Sequence, residues 1–321
     1  MTMTRTILGA VAAVALSVAN VAVAQDVTVG ILVPGSQTDK GFMQSAYMGA
    51  KKVEETYGTK GKIQIIENIN YADMEQALTQ LATNNKFVVA VSGASQAAMI
   101  KVSKRFPDVK FALVGGAKIV EATNMSQYDM RQAEINYISG AVAAMSSKTG
   151  TISFIAGLEI PGVVNASKEF EKGAKYVRPD IKTIAVFTGS FDDVAKAKEA
   201  TLATIAQGAD VHVHVLNKGL PGLEQAAREK STSVIGGPLP NCGADPLYIA
   251  YSRTGVGYLI QQAVKANAEG SWKPGSHGFG LKAGPDASDM VLCGTPKPDV
   301  AKKVEELKKA IISGQITTLD G

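Results

Sequence analysis

Short apolar runs rich in β-branched residues alternate with longer amphipathic segments along most of this chain. The runs have the length of buried strands, and the longer segments repeat their apolar positions with the period of a helix. Strands are predicted at residues 27–33, 63–66, 87–91, 111–114, 151–155, 182–187, 211–215 and 233–235. Helices are predicted at residues 41–57, 73–83, 95–106, 132–147, 163–177, 193–207 and 221–230. Such alternation is typical of parallel sheets built from βαβ units.

The alternation stops near residues 124–131 and then begins again, so two halves fit the length better than one long sheet. The predicted fold class is therefore α/β, with two doubly wound parallel-sheet lobes. Sheets of this kind bind ligands beyond the carboxyl ends of their strands, and two that face each other form a cleft. The end of the chain shows a helical pattern at 247–270, strand-like runs at 279–281 and 290–292, and an amphipathic helix at 298–312.

The predicted division of the chain has three parts. Residues 1–24 form a segment that precedes the folded protein. We expect residues 25–128 and 248–275 to form the first lobe, and residues 129–247 and 276–321 to form the second.

The first 24 residues have the pattern of a secretory signal peptide. Arg5 precedes a mostly apolar stretch, and Ala22 and Ala24 supply small residues before Gln25. A retained anchor helix is the alternative, but the small-residue site falls directly before the first predicted strand. No cysteine stands at the cleavage point, so we expect a periplasmic protein that begins near Gln25 and carries no lipid anchor.

The charge distribution argues against a nucleic-acid partner. The formal net charge is +4, and basic and acidic residues are interspersed rather than gathered in a patch. Beyond the first segment no apolar run is long enough to span a bilayer. We expect a monomer that binds a small molecule.

Two cysteines, Cys242 and Cys293, are the only ones in the sequence. In an oxidising compartment such a pair is first interpreted as a disulfide. Two buried free thiols are the alternative, because the sequence does not show whether the two Cα atoms come within bridging distance.

The sequence offers little that could perform catalysis. His212 and His214 alternate on one predicted strand and so point to the same face. A two-histidine metal pair is conceivable, but no acidic or cysteine ligand lies near in sequence, and a polar sheet position is the favoured interpretation. No nucleophile elbow, phosphate loop or zinc spacing occurs. We therefore predict no enzyme activity, no metal and no cofactor.

The loops that follow the predicted strands carry the candidate ligand-binding residues. Phe42 and Phe191 lie on such loops in different halves, where they could stack on the two faces of one flat ligand. Each could equally be a hydrophobic staple at a helix start, and the spacing alone does not decide. The polar and small candidates are Asp39, Met43, Gln44, Ser92, Gly93, Asn217, Lys218 and Arg253.

Seven further motifs stand out, at residues 39–42, 107–112, 137–144, 149–150, 176–181, 188–193 and 207–211. In combination and order they resemble those of the basic membrane protein family, the solute-binding components of ABC transporters. Many members of that family bind purine nucleosides. The resemblance implies a type I periplasmic binding-protein fold, a ligand between two lobes, and an ABC transporter permease in the inner membrane as partner. It also implies that Phe42 and Phe191 stack on a purine, with Asp39, Gln44, Asn217 and Arg253 as polar cleft residues.

The chain departs from the family pattern at several positions. Met43 stands where the family usually has asparagine, and Gly115 and Gly116 follow the strand after which the family often has aspartate. Members that hold ribose commonly carry aspartates after the strand that ends here at Ile235, where this chain has glycines and prolines. Most known members are lipoproteins, whereas this chain lacks the lipid-site cysteine. Because the ribose-binding aspartates are missing, a free nucleobase or a related flat heterocycle is expected over an intact nucleoside.

Three functions remain as hypotheses. The first is a periplasmic solute-binding protein that captures a small flat polar ligand, a purine nucleobase or nucleoside, and delivers it to a permease. The second is a sensory binding protein for a sugar or another small solute. The third is a secreted α/β hydrolase, which the absence of a nucleophile–base motif disfavours.

Overall fold

The computed structural model describes residues 27–59, 61–116, 118, 123–243 and 245–319. The expected signal peptide and Gln25 lie outside the described residues. Two six-stranded sheets form the centres of two lobes. Within the part of the chain that the structure describes, no helix combines the length and apolar character that a membrane span needs.

The first sheet is parallel throughout. Its strands are β1 (Val27–Val33), β2 (Gly61–Glu67), β3 (Phe87–Val91), β4 (Lys110–Val114), β5 (Met125–Asp129) and β11 (Gly275–Gly278). Their spatial order is β11-β5-β4-β3-β1-β2. The central strand β3 is fully buried, as expected for a sheet covered by helices on both faces.

The second sheet repeats this architecture with one reversed strand. Its strands are β6 (Thr151–Ala156), β7 (Lys182–Phe187), β8 (Val211–Val215), β9 (Ser233–Gly236), β10 (Tyr248–Thr254) and β12 (Ser288–Leu292). Their order is β12-β10-β9-β8-β6-β7; among the described strands of this sheet, the edge pair of β10 and β12 is antiparallel and the other pairs are parallel.

Helices cover both sheets. Those on the first sheet are α1 (Phe42–Tyr57), α2 (Met74–Asn84), α3 (Gln96–Arg105) and α8 (Val256–Ala268). Those on the second sheet are α4 (Gln132–Ser146), α5 (Pro161–Val177), α6 (Val194–Ala206), α7 (Leu220–Glu229) and α9 (Pro298–Ile312). The prediction of two doubly wound α/β lobes is therefore confirmed.

Within the described residues the chain crosses between the lobes three times. The crossings lie between β5 and α4, between β10 and α8, and between β11 and β12. The predicted helical pattern at 247–270 is in fact a strand followed by a helix. The predicted lobe boundaries differ from the sheets at two strands. Residues 248–275 were predicted in the first lobe, but strand Tyr248–Thr254 belongs to the second sheet. Residues 276–321 were predicted in the second lobe, but strand Gly275–Gly278 belongs to the first sheet. A short apolar run does not distinguish a buried strand from the first turns of a buried helix, which explains the difference.

Helix α1 is held close to helix α8 by two glycines. A β-carbon added at Gly49 would overlap the backbone of Gly257, so the two helices touch along their main chains. Helix α1 begins at Phe42 and α8 packs against β3 and β4. This contact therefore fixes the start of α1 relative to the sheet whose strand ends face the cleft.

Candidate ligand-binding site

A cavity of about 280 Å³ lies between the two lobes. Ligand pockets in proteins typically measure about 300–1,000 Å³, so this cavity suits a small molecule. The residues that line it come from both lobes and are mostly apolar or small: Phe42, Met43, Ser92, Gly93, Ala94, Gln96, Gly115, Gly116, Asp129, Met130, Gln132, Ile160, Pro161, Gly162, Val163, Phe191, Val215 and Asn217.

Six of the ten residues predicted for the ligand site line this cavity. They are Phe42, Met43, Ser92, Gly93, Phe191 and Asn217. The first four come from the first lobe and the last two from the second. Both aromatic side chains thus border the same small space, although they are 149 positions apart in the sequence.

Phe42 is positioned by the cap of helix α1. The carboxylate of Asp39 is buried and accepts hydrogen bonds from the backbone N–H groups of Gly41 and Gln44 at 2.9 Å and of Met43 at 3.0 Å. A carboxylate at this point accepts hydrogen bonds from N–H groups that have no partner within the helix. The positive end of the helix dipole also stabilises its negative charge. Asp39 therefore acts on the loop that presents Phe42, and its side chain does not line the cavity.

The same loop touches the second lobe. A β-carbon at Gly41 would lie 3.3 Å from the backbone oxygen of Leu216, the residue before Asn217. On the other side of the cavity, a β-carbon at Gly93 would lie 4.0 Å from Cδ1 of Ile160, which belongs to the second lobe. The lobes are therefore close together on both sides of the cavity.

Phe191 is held by two neighbouring loops of the second lobe. Its backbone oxygen accepts hydrogen bonds from the N–H groups of Asn217 at 2.9 Å and Gly219 at 3.0 Å. Its ring packs onto Gly157, where an added β-carbon would overlap it. These contacts join the loop after β7 to the loop after β8, so the positions of Phe191 and Asn217 relative to each other are fixed.

Ser92 adopts a backbone conformation that is rare for a residue with a side chain. Its φ is +79°, and its N–H donates to the oxygen of Val114 at 3.0 Å. Its hydroxyl accepts a hydrogen bond from the N–H of Ala94 at 3.3 Å. Such strained residues concentrate at ligand sites, where the surrounding structure maintains them. Ser92 and Gly93 thus bring a hydroxyl and exposed backbone to the cavity wall.

Four predicted residues lie away from the cavity lining. Asp39 caps α1, as described above. Gln44 accepts a hydrogen bond from the N–H of Lys40 at 3.0 Å. Lys218 is exposed, and its backbone N–H donates to Asp192 at 3.2 Å. Arg253 donates from Nη2 to the hydroxyl of Tyr251 at 3.0 Å and from Nη1 to the oxygen of Pro285 at 3.3 Å.

Asp129, Met130 and Gln132 were not predicted for the ligand site, yet all three line the cavity. They lie at the end of β5 and the start of α4. Asp129 and Met130 fall in the stretch predicted to be only a break, and Gln132 begins a predicted helix. Asp129 accepts a hydrogen bond on Oδ1 from the N–H of Arg131 at 3.3 Å. Burial raises the pKa of its carboxyl group, and the nearby N–H and charge of Arg131 oppose that rise only in part.

His212 and His214 are buried within the second lobe, between the sheet and its helices. His212 is hydrogen-bonded to Ser153 at 2.7 Å through Nδ1 and to Thr232 at 3.0 Å through Nε2. Burial lowers the pKa of each histidine to about 4, so both are neutral at pH 7. Among the described residues no group of three or more His, Cys, Asp or Glu side chains could hold a metal ion.

Cys242 and Cys293 are joined by a disulfide, with their Cα atoms 5.0 Å apart. The bond connects the loop after β9 to the end of β12, across 51 positions. It lies within the second lobe and closes the edge of that sheet against the loop.

Comparison with known proteins gives consistent matches over most of the chain. The family described as Bmp, ABC transporter substrate-binding protein PnrA-like, matches residues 26–284. A purine-binding protein of Brucella abortus (strain 2308) is 30% identical over 297 residues, which cover 91% of this chain and 83% of that protein. The nucleoside-binding protein BmpA of an ABC transporter from Lactococcus lactis subsp. cremoris (strain MG1363) is 27% identical over 54% of this chain and 50% of its own length.

Solved structures share the fold. The crystal structure of an ABC transporter solute-binding protein from Aeropyrum pernix K1 superimposes with a TM-score of 0.79 at 23% identity, covering 90% of this chain and 92% of that one. At this identity the likeness shows the fold alone, which is the two-lobed architecture described above.

Proposed function

This chain belongs to the family of PnrA-like ABC transporter substrate-binding proteins, and we propose that its ligand is a purine-type heterocycle held between Phe42 and Phe191. A protein of this family captures a small molecule outside the cytoplasm and presents it to a membrane permease. The step is binding without chemical change, so the cleft has to complement only the ground state of the ligand.

The observation that carries the proposal is that two phenylalanines, one from each lobe, line one small and mostly apolar cavity. A flat aromatic ring placed between them gains stacking as well as burial of apolar surface. Polar groups at the cavity wall, from Ser92, Asp129 and Asn217, can then fix the orientation of the ring. The purine-binding relative from Brucella abortus supports the same class of ligand.

Within that class we propose that a free nucleobase binds more tightly than its nucleoside. The cavity is small, and Asp129 is the only carboxylate among the described residues that line it. Recognition of a ribose through paired hydroxyls would use a carboxylate in addition to the groups that read the base. A nucleoside would therefore leave hydroxyl groups buried without good partners, which is costly.

Calorimetry with a panel of ligands tests the proposal. The panel contains hypoxanthine, adenine, inosine, adenosine, ribose, glucose and amino acids. We expect the bases to bind, the nucleosides to bind more weakly, and the sugars and amino acids not to bind. A bound base should also raise the free energy of unfolding by about 2.7 kcal/mol at 100 times its Kd. Tight binding of a sugar or an amino acid, with no response to any purine, would overturn the proposal.

We also propose that the mature protein begins at or next to Gln25 and carries no lipid anchor. It acts as a monomer, and we propose neither a nucleic-acid partner nor catalytic activity for it. The small residues Ala22 and Ala24 before Gln25 support this start, as does the absence of a cysteine there. N-terminal sequencing of protein from the periplasmic fraction is expected to read from Gln25. Recovery of an intact Met1 in membranes would contradict it.

A further inference from the structure

The cavity is lined by one acidic side chain that forms no ion pair among the described residues. Asp129 is the only ionisable side chain among the described residues that line the cavity. No ion pair to its carboxylate is formed within the described ranges. The N–H of Arg131 donates to Oδ1, which leaves further acceptor positions on the two oxygens.

The neighbouring cation, the guanidinium of Arg131, is hydrogen-bonded to Glu134 instead of to Asp129. Nη1 of Arg131 donates to Oε1 of Glu134 at 3.0 Å, and Oε2 of Glu134 accepts the N–H of Leu281 at 2.8 Å. The guanidinium also lies against the backbone of Gly278, where an added β-carbon would overlap it. Arg131 is therefore held by α4 and the third crossing segment, and Asp129 faces the cavity without a salt-bridge partner.

We propose that Asp129 selects the ligand by accepting a hydrogen bond from a ring N–H of the heterocycle; this rests on the proposed function. A half-buried carboxylate loses its remaining hydration when the cleft is filled, and a ligand donor is needed to replace it. A ligand that presents only acceptors or a methyl group at this point leaves the carboxylate unpaired and is rejected. The direction in which burial shifts the pKa of Asp129 agrees with a carboxyl group in partly desolvated surroundings.

The experiment combines a protein variant with a chemical change in the ligand. Hypoxanthine and its 1-, 7- and 9-methyl derivatives are titrated into the wild type and into Asp129→Asn. We expect Asp129→Asn to bind hypoxanthine about 10-fold or more weakly, as for loss of a hydrogen bond to a charged group. Methylation at the nitrogen that faces Asp129 should weaken binding to the wild type strongly, and should cost much less in Asp129→Asn. If the effects of the protein change and of the methylation are not additive in this way, the carboxylate of Asp129 and that ring nitrogen contact each other.

The control is Asp180→Asn, because the Asp180 side chain is 80% exposed. It should bind every ligand as the wild type does. If Asp129→Asn binds hypoxanthine as tightly as the wild type, the role of Asp129 is overturned while the purine proposal stands. If the wild type binds neither hypoxanthine nor any other purine, the proposed function itself fails.

The proposal remains testable even if Asp129→Asn does not fold. Titration of the three methyl derivatives into the wild type alone then decides. Binding of all three as tightly as hypoxanthine would show that no ring N–H is used and would overturn the inference. A selective loss at one ring nitrogen supports it.

Discussion

Oε2 of Glu134 accepts a hydrogen bond from the backbone N–H of Leu281 at 2.8 Å, between residues 147 positions apart in the sequence. Glu134 lies in the first turn of α4, directly after the first crossing between the lobes, and Leu281 lies in the third crossing. The first and third crossing segments are therefore hydrogen-bonded to each other. Gly280 leaves room for this contact, because a β-carbon there would overlap the carboxylate.

Glu134→Ala should destabilise the protein by about 1–3 kcal/mol. The change leaves the buried N–H of Leu281 without its acceptor and removes the partner of Arg131. Urea unfolding followed by circular dichroism measures the loss. Glu171→Ala, which removes an ion pair whose two side chains are half exposed, should change stability by less than about 1 kcal/mol. Equal effects of the two changes would argue against a structural role for the Glu134 contact.

Phe42→Leu and Phe191→Leu should each weaken binding of the purine base by about 0.5–1.5 kcal/mol beyond the loss of buried area. Leucine keeps much of the apolar surface, so the unfolding midpoint of the ligand-free protein should stay nearly the same. The double variant should bind more weakly than either single one. Calorimetry on the three variants measures this, and unaltered affinity in both single variants would mean that the rings serve only as helix staples.

Breaking the Cys242–Cys293 disulfide should lower the free energy of unfolding by about 2–4 kcal/mol in the chain-entropy model. The bond spans 51 positions and so restricts a long loop of the unfolded chain. Cys242→Ser, Cys293→Ser and the double variant should lose the same amount, because each removes the same bond. Thiol titration of the unfolded, unreduced wild type should find no free thiols, and finding two would rule the bond out.

Stability should fall on acidification because of the two buried histidines. In the unfolded chain each has a pKa of about 6.5, whereas burial lowers the pKa of His212 and His214 to about 4. Between these values the unfolded state binds more protons, so the free energy of unfolding decreases as the pH falls from about 6.5 to about 4. The loss is on the order of 3 kcal/mol for each histidine, since one pKa unit corresponds to about 1.4 kcal/mol.

Urea unfolding at pH 7 and pH 5 measures this dependence. His214→Gln should reduce the difference between the two pH values, because one of the two titrating groups is gone. His277→Gln, on the partly exposed edge strand β11, should leave the difference as in the wild type. An unchanged pH dependence in His214→Gln would show that this histidine is not responsible.

The central part of each sheet could be predicted from the sequence because its strands are continuous apolar runs. Strand β5 could not, since Ser126 and Gln127 are polar although both are buried. Ser126 donates to the oxygen of Phe111 and accepts the indole N–H of Trp272, and Gln127 donates to the oxygen of Gly116. These long-range partners satisfy the polar groups inside the protein, and nothing local in the sequence reveals them.

The candidate site likewise contains residues that could be predicted from the sequence and residues that could not. Residues on loops directly after apolar strands, such as Phe42, Ser92 and Phe191, were within reach of the sequence pattern. Asp129 and Gln132 were not, because Asp129 ends the strand that the pattern missed and Gln132 follows it, at a crossing between the lobes. The position of a crossing depends on the packing of the whole chain.

The order in which the strands enter the two sheets has a consequence for how the protein is made. Strand β11 and helix α8 complete the first lobe, yet both come from the last quarter of the chain, after the strands β6 to β10 of the second. When β5 has just emerged from the ribosome, helix α8, which packs on β3 and β4 of the first sheet, has not yet been synthesised. The first lobe therefore cannot finish folding until β11 has been synthesised, by which time the strands β6 to β10 of the second lobe have also been made.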